Sequence, residues 1–560
     1  MLGALGIFGW WLCCLGWMAT LDWVGRDSVR YRLAPQIWVP VCTLAFLIPA
    51  LVAWWIPSGL AVAAIVPLAW LVPALVYVLT RNARLPAGKQ VLTPNHFRNI
   101  ASRLGKRVGL KIEQGLQDDE PPLPEVDFLP AESAGNAGGD EKRKQLAAMP
   151  GQRVAREIVV GAVLARAARA AIEPVADGVL VRYEVDTVWQ NRRRRVPPAK
   201  RGERDRYPVA PAFPQAEGVA AMNLLRAAAG LAADGRGPQG GEFVLSVDGK
   251  KQTCRVGGRS GARLELDFPV TPPKFKTLGD LGVADSLREQ IQRTLKLEKG
   301  LFLVSGPAGA GLTTTIDMVL QSADRLMRDF VSIEDQAAPA KEVQNVKVQR
   351  FDGRAVQATD AVTAAMREYP QGLVTRDIRD KPLLLELARL AGENQFVILS
   401  LKANDALDAI ARVMQAGVPA DLLARTLVGS LSVRLVRRLC PRCREHGPAA
   451  AELLRRFKRR PEQVPQIHRA APDGCSLCQG AGFVGRIGIF ELAAGSRVRQ
   501  GVEAKAKPAV LRELAVKDGM VPFDAAGFEA AIAGTTSVDE VDRVLAPAPA
   551  PGPAPAPGKG

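Results

Sequence analysis

A glycine-rich stretch in the middle of the chain has the residue types that hold phosphate groups. Leu301–Ser305 is an apolar run typical of a buried strand, the turn GPAGAGLTT follows it, and a helical pattern continues to Met327. In a strand, glycine loop and helix arrangement, backbone N–H groups and the helix N-terminus bind phosphates, and the glycines permit close approach. We therefore predict phosphate binding by this loop, which consists of Gly306, Pro307, Ala308, Gly309, Ala310, Gly311, Leu312, Thr313 and Thr314.

One position of this loop departs from the pattern. Leu312 stands where such loops have a lysine, whose ammonium contacts the β- and γ-phosphates. Thr313 keeps the hydroxyl that reaches Mg²⁺, and the backbone donors do not depend on the side chain at position 312. The sequence therefore predicts that ATP and Mg²⁺ binding is weakened.

Four cysteines late in the chain have the spacing of a metal site. Cys440 and Cys443 form one CxxC pair, and Cys475 and Cys478 form a second. Two such turns can direct four thiolates at one tetrahedral Zn²⁺, and four protein ligands leave no open position, so we expect a structural zinc site. The alternative is four unrelated buried cysteines. The other four, Cys13, Cys14, Cys42 and Cys254, are interpreted as packing residues.

Further motifs occur in the order found in the assembly ATPases of type II secretion systems and type IV pili, and the chain resembles that family from about Glu157 to Val544. Besides the glycine loop, the resemblance is carried by IEPVADGVLVRYEVD (Ile172–Asp186), SIEDQ (Ser332–Gln336), LVTRDIRD (Leu373–Asp380), LKANDALDAIAR (Leu401–Arg412), RLVRRLCPRC, GCSLCQGAGFVGRIGIFE and GTTSVDEVDRV (Gly534–Val544). It implies a zinc-bearing C-terminal part and assigns catalytic roles to Glu334, Asp377 and Arg379.

The same resemblance exposes departures at the nucleotide site. The LVTRDIRD segment stands where the family reads VGEIRD, so Asp377 replaces a glutamate that organises Mg²⁺ and the attacking water. Lys402 replaces the histidine of the family's histidine box, and Asp267 stands in place of an arginine aimed at a neighbouring subunit's phosphates. Because phosphoryl transfer relies on positioning and charge, several such changes predict impaired hydrolysis.

The first eighty residues differ in composition from the rest. Leu2–Met18, Ile37–Ile56 and Leu60–Leu79 are uncharged, and the second and third are about as long as a membrane span requires. Basic residues follow the first and third stretches, so the positive-inside rule predicts three helices with the bulk of the chain in the cytoplasm. Buried core helices are the alternative interpretation of these apolar runs.

These patterns predict an α/β chain with a RecA-like P-loop domain built on a parallel sheet. The expected parts are a transmembrane anchor of about three helices over 1–80, a cytoplasmic segment and flexible linker over 81–150, a smaller α/β N-terminal domain over 151–275, the RecA-like domain over 276–435, the zinc-binding and helical C-terminal part over 436–545 and a disordered Ala/Pro tail over 546–560.

Composition narrows the function classes. With 74 Lys and Arg against 57 Asp and Glu, the formal net charge is +17, which favours an acidic partner. Three histidines exclude chemistry that needs several, and eight cysteines are too few for a disulfide scaffold in 560 residues. The favoured hypothesis is a multi-pass inner-membrane member of the family with a degenerate nucleotide site, in a homo- or hetero-hexamer with membrane platform proteins. One alternative is an active hexameric ATPase that powers pilus or pseudopilus assembly. A second is a basic zinc protein that binds nucleic acid, whereas the favoured hypothesis expects no nucleic-acid partner.

Overall fold

The chain forms two compact units, Met1–Leu123 and Pro124–Gly560. The structure, a computed structural model, describes residues 4–30, 34–53, 55–56, 59–84, 91–92, 124, 126–130, 138–196, 205–231, 240–259, 263–269, 273, 275–378 and 380–546. The structure does not describe the predicted site residue Arg379, most of residues 81–137 within the predicted segment 81–150, or the predicted tail from 547 onward.

The first unit consists of three long helices, α1 (Ala4–Arg30), α2 (Pro35–Ala53) and α3 (Gly59–Arg84). Their apolar composition agrees with the sequence pattern, and α2 and α3 each continue through two internal prolines. Within the part of the chain that the structure describes, two segments are long and apolar enough to cross a membrane, Gln36–Ala53 and Ala64–Ala83.

A buried ion pair joins the C-terminal ends of α1 and α3. The guanidinium of Arg81 donates to both oxygens of Asp27, at 2.7 and 3.2 Å, and the hydroxyl of Tyr77 donates to the same carboxylate at 2.7 Å. The side chains of Arg81 and Asp27 are only 4% and 8% exposed. Because a lone charge among apolar helices is costly, this pair fixes which ends of α1 and α3 lie together.

The second unit begins with an antiparallel seven-stranded sheet in the order β1-β5-β6-β7-β2-β3-β4. Its strands are β1 (Val126–Pro130), β2 (Arg169–Val175), β3 (Gly178–Val185), β4 (Val188–Asn191), β5 (Gly240–Val247), β6 (Lys250–Arg259) and β7 (Arg263–Asp267). Its helices are α4 (Gly138–Ala148), α5 (Gln152–Ala165) and α6 (Gln215–Ala228). The apolar faces of α5 and α6 share one core cluster with this sheet.

This sheet begins inside the segment that its composition predicted to be a linker. In β1, alternate side chains Val126 and Phe128 are buried against the core, and the strand pairs with β5 from Val126 to Pro130. The period-2 burial of two apolar residues outweighs the acidic and proline-rich composition around them. The described fold therefore includes residues ahead of position 151.

A second seven-stranded sheet carries the glycine-rich loop and has the order β10-β9-β11-β12-β8-β13-β16. All neighbouring pairs are parallel except β13 with β16. Its strands are β8 (Gly300–Gly306), β9 (Phe330–Asp335), β10 (Val346–Phe351), β11 (Gly372–Thr375), β12 (Phe396–Lys402), β13 (Leu427–Leu439) and β16 (Phe483–Ala493). The helices between them are α7 (Asp285–Leu295), α8 (Leu312–Ser322), α9 (Ala358–Met366), α10 (Lys381–Glu393), α11 (Ala406–Gln415) and α12 (Ala420–Thr426), with a 3₁₀ turn at Gly279–Leu281.

Both faces of this sheet are buried, as its uninterrupted apolar strands predict. Along β8, Leu301 and Leu303 belong to one apolar cluster, whereas Phe302 and Val304 belong to another. Parallel strands covered by helices on both sides have this arrangement. The sheet thus confirms the predicted RecA-like fold and presents the loops after β8, β9, β11 and β12 at its carboxyl edge.

The C-terminal part is continuous with this sheet, because β13 extends from Leu427 to Leu439 and pairs with β16. It also contains the pair β14 (Glu445–Gly447) and β15 (Ile467–Arg469), a 3₁₀ turn at Pro461–Gln463 and the helices α13 (Ala451–Arg456), α14 (Ser496–Glu503), α15 (Pro508–Lys517), α16 (Phe523–Ile532) and α17 (Val538–Leu545).

Candidate nucleotide site and metal cluster

The glycine-rich loop joins the buried strand β8 to the N-terminus of α8. Gly309 and Gly311 have φ of 77° and 85°, the left-handed conformation that glycine adopts without strain. Gly306 has no room for a side chain, because a Cβ there would lie 3.0 Å from the carbonyl oxygen of Val433. The helix begins at Leu312, two residues before the predicted start, and ends at Ser322. The predicted strand, loop and helix are therefore confirmed.

The side chain of Leu312 packs against protein instead of extending into solvent. It is half-buried at the edge of the apolar cluster that contains Val304, Ile316 and Val433. Thr313, in contrast, is exposed. The loop thus retains backbone donors and a hydroxyl, while position 312 contributes to the core.

A buried network centred on Arg376, which directly follows β11, joins the end of β9 to α8, the helix that follows the loop. Its Nη2 donates to Asp317 Oδ1 at 2.9 Å, and its Nη1 donates to Glu334 Oε1 at 3.1 Å and to Ser332 Oγ at 2.8 Å. The side chains of Arg376, Asp317 and Glu334 are 14%, 10% and 6% exposed. Burial raises the pKa of Asp317, although the nearby guanidinium acts in the opposite direction.

Both oxygens of Glu334 accept hydrogen bonds within the protein. Oε1 accepts from Ser332 Oγ at 2.7 Å as well as from Arg376, and Oε2 accepts from the backbone N–H of Ala340 at 3.2 Å. These donors hold the carboxylate at the carboxyl end of β9. Glu334 is thus engaged by groups of its own chain, and its catalytic role stays a prediction.

Asp377 lies in a different place. Its backbone has φ of 48°, its N–H donates to Ser400 Oγ at 2.9 Å, and its carboxylate is 3.4 Å from the ammonium of Lys402. It lines a cleft of about 510 Å³, and the other lining residues are Ile378, Asp380, Lys381, Leu384, Leu399, Leu401, Lys402, Arg412, Gln415 and Ala416. Lys402 is also the β12 residue that pairs with Gly306 at the start of the glycine-rich loop. The structure thus brings Asp377 and Lys402 together, and it places Arg376, not Asp377, next to Glu334.

The four predicted cysteines converge. Their sulfur atoms all lie within 4.8 Å of one another, with Cys440 to Cys475 at 3.6 Å, Cys443 to Cys478 at 3.7 Å and Cys475 to Cys478 at 3.9 Å. All four side chains are buried. Four sulfur donors at these separations fit one tetrahedral ion of the Zn²⁺ type.

The electrostatics of the cluster come mainly from burial. Burial raises the pKa of the Cys440 and Cys443 thiols. Burial also acts to raise the pKa of Cys475, but hydrogen bonds from the backbone of Cys478 and Leu477 and from the Cys440 and Cys443 thiols together lower it. The neighbouring arginines mostly have other partners: Arg437 pairs with Glu540 at 2.7 Å, and Arg444 donates to the carbonyl of Gly534 at 2.6 Å. A divalent cation is thus the charge that would favour four thiolates here.

The loop that carries the second cysteine pair also contacts the N-terminal sheet domain. Arg166 donates to the carbonyl of Leu477 at 2.9 Å, and the N–H of Gly485 donates to Asp186 at 2.8 Å. A Cβ at Gly480 would lie 2.4 Å from that of Tyr207, so the backbones approach closely. The cysteine loop is therefore a joint between the two folded parts of this unit.

The comparisons with known proteins agree with this architecture. The family model described as "Type II/IV secretion system protein" matches residues 147–543, which is more than half of the chain. This chain belongs to the type II/IV secretion system protein family. The motif order proposed from sequence is thereby confirmed at the level of the family.

Three relatives illustrate the likeness. Type II secretion system protein E of Klebsiella pneumoniae is 31% identical over 318 residues, which cover 56% of this chain and 62% of that protein. Its namesake in Xanthomonas campestris pv. campestris is 28% identical over 415 residues, covering 71% and 67%. A solved structure, the Legionella pneumophila ATPase DotB, has 13% identity and a TM-score of 0.42, with coverage of 71% of this chain and 96% of that one.

The chain spans less than two thirds of the length of the Klebsiella pneumoniae protein, at 62%, and of the type IV pilus assembly ATPase TfpB of Acinetobacter baylyi, at 55%.

Within this family fold, sequence reasoning missed Arg376 and Asp317. A signal for Arg376 was available, because it stands where the family segment VGEIRD has its glycine. A long cation in place of glycine at the end of a central strand needs an acidic partner. Asp317, four residues after Thr313 and hence on the same face of α8, was the acid in reach.

Proposed function

We propose that this chain is a membrane-anchored member of the secretion ATPase family whose nucleotide site is degenerate. It hydrolyses ATP weakly or not at all, and it acts as a structural or regulatory component of a type II secretion or type IV pilus-like machine. In this proposal the fold is retained for assembly, while the chemistry of the motor has been lost.

The main support for the proposal comes from positions 312 and 377, which carry charged residues in the family's nucleotide site. Leu312 packs, half-buried, against an apolar cluster, and the carboxylate of Asp377 is 3.4 Å from the ammonium of Lys402. Phosphoryl transfer needs charges held at the phosphates and at the attacking water. Both positions serve other contacts here, which supports low turnover.

The cysteine cluster supports a structural role for Zn²⁺. Cys440, Cys443, Cys475 and Cys478 would hold the ion with four thiolates and leave no position for a substrate. A bound zinc ion would balance the negative charge of the four buried thiolates. It would also hold the shape of the loop that contacts the N-terminal sheet domain.

The anchor and the partners follow from the first unit and from the family. Gln36–Ala53 and Ala64–Ala83 are long enough to span the membrane, and the buried pair of Asp27 and Arg81 suits a packed helix bundle. We place the chain in the inner membrane as a multi-pass protein, with its ATPase-like part in the cytoplasm. Its partners in this proposal are membrane platform proteins and further subunits of a homo- or hetero-hexamer.

The test is steady-state phosphate release by the full chain in nanodiscs, at saturating ATP and Mg²⁺. We expect a rate far below about 1 per second, the lower end of the ordinary enzyme range. Glu334→Gln is the matched variant, because the family resemblance assigns a catalytic role to Glu334 and turnover at this site should be lost with that carboxylate. A wild-type rate of about 1 per second or more that Glu334→Gln abolishes would establish a working motor instead.

A further inference from the structure

The acidic residues beside the glycine-rich loop do not fit a divalent cation as this chain arranges them. Mg²⁺ in nucleotide sites binds through one or two carboxylates, waters and the phosphates. Here the candidate carboxylates, Asp317 and Glu334, both accept hydrogen bonds from Arg376, and Glu334 also accepts from Ser332 and Ala340. Asp317 Oδ1 and both oxygens of Glu334 thus accept hydrogen bonds from the protein itself.

Charge balance gives the reason for this arrangement. Asp317 and Glu334 are nearly fully buried, and burying two neighbouring acids is costly unless positive charge lies beside them. The Arg376 guanidinium supplies one such charge, in contact with both. The exposed Lys341 adds a second positive charge, which acts to lower the pKa of Asp317. A divalent cation is therefore not needed to assemble this site.

Position 376 also makes the arrangement specific to this chain. A glycine there, as in the family segment, would leave the space beside Asp317 and Glu334 to an ion and its waters. The arginine fills that space with a planar group that forks between both acids.

We propose that Arg376 takes the place of the divalent cation, so that this site excludes Mg²⁺ and accepts a metal-free nucleotide. The inference deepens the proposed function and rests on it for the class of ligand. The phosphates would meet the backbone N–H groups of the loop, and the fixed guanidinium would provide the positive charge that Mg²⁺ supplies elsewhere.

The first measurement is thermal unfolding of the full chain with Mg²⁺ alone. Buffers are freed of divalent cations by a chelating resin before the protein is added, because a soluble chelator would also strip a metal from the cysteine cluster. We expect no Mg²⁺-dependent shift for the wild type and a saturable increase for Arg376→Gly, in which the two acids have lost their counter-ion. In the double variant Arg376→Gly/Asp317→Asn, one acid is removed and the increase should shrink.

The second measurement is titration with ADP, with and without Mg²⁺. The wild-type dissociation constant should change less than about twofold, whereas that of Arg376→Gly should improve at least about tenfold when Mg²⁺ is present. Wild-type binding that requires Mg²⁺, the absence of ADP binding in both conditions, or a Mg²⁺ shift as large in the wild type as in Arg376→Gly would overturn the inference. The wild-type arms decide the matter even if the variant does not fold.

The degenerate motor and the role of Arg376 are tested by different measurements, turnover and the cation dependence of ADP binding. Negligible turnover together with Mg²⁺-dependent ADP binding would retain the degenerate motor and remove the role of Arg376. Rapid turnover would remove the degenerate motor whatever the cation dependence of binding.

Discussion

The side chain at position 312 shows how one residue can serve either the core or the phosphates. A lysine at this first position of α8 extends toward the phosphates, whereas Leu312 packs beside Val304 and Ile316. Burial of a leucine side chain stabilises a fold by up to about 2 kcal/mol. The chain therefore gains packing at the position where the family keeps a catalytic charge.

Replacing Leu312 with lysine should strengthen ATP binding and lower stability. A charged donor on a phosphate contributes about 1.5–3 kcal/mol, so the dissociation constant for ATP should fall about tenfold or more. Calorimetric titration of the full chain measures this effect. Leu312→Met is the matched control, because it keeps an apolar side chain of similar size and should leave affinity unchanged. Equal affinities for all three proteins would show that position 312 does not reach the nucleotide.

At the scale of elements, the features that sequence predicted are those fixed by local spacing. The glycine loop and the two CxxC turns are short segments whose geometry depends on a few neighbouring residues, and both formed as expected. The order of the family's motifs along the chain then predicted the parallel sheet that surrounds the glycine loop.

The Arg376 network could not be predicted in the same way. Its partners Asp317 and Glu334 are 59 and 42 residues away along the chain. Which of two consecutive residues faces the loop also depends on where β11 ends, since successive side chains point to opposite sides of a strand. One residue of register decided that Arg376, not Asp377, lies beside Glu334.

The loop at 474–485 carries two of the four cysteines and also contacts the N-terminal sheet domain, so metal binding should affect this interdomain contact. We expect a single zinc ion per chain, since four cysteines complete a tetrahedral site. Removing it should loosen the contacts of Leu477 and Gly485 with Arg166 and Asp186. Limited proteolysis at 474–485 should become at least about tenfold faster, which corresponds to about 1.4 kcal/mol of local opening free energy.

A matched variant separates the joint from the metal. Arg166→Ala should speed cleavage of the same loop while the zinc content, measured by elemental analysis, stays the same. If chelation leaves the cleavage rate of the wild type unaltered, the loop is held by its protein contacts alone.

At the scale of the whole molecule, the three-helix unit contains the buried ion pair of Asp27 and Arg81. Asp27→Asn should destabilise the helix bundle by about 3 kcal/mol, because it leaves the Arg81 guanidinium buried without its acid. Thermal unfolding in nanodiscs measures the loss, and the exchanged pair Asp27→Arg/Arg81→Asp should recover part of it. Asp22→Asn is the control, since Asp22 and its partner Arg26 are 61% and 78% exposed. An equal effect at both acids would remove the special role of the buried pair.

The same ion pair sets an order on biosynthesis. Asp27 precedes Arg81 by 54 residues, so the ribosome delivers the acid together with α1 well before its cation exists. During that interval Asp27 lacks Arg81, and in the proposed membrane anchor an acid without that partner would make burial of α1 among lipid chains costly. We therefore expect α1 to reach its final packing only after α3 has been made, so that the last helix of this unit sets the time at which the first is stably buried.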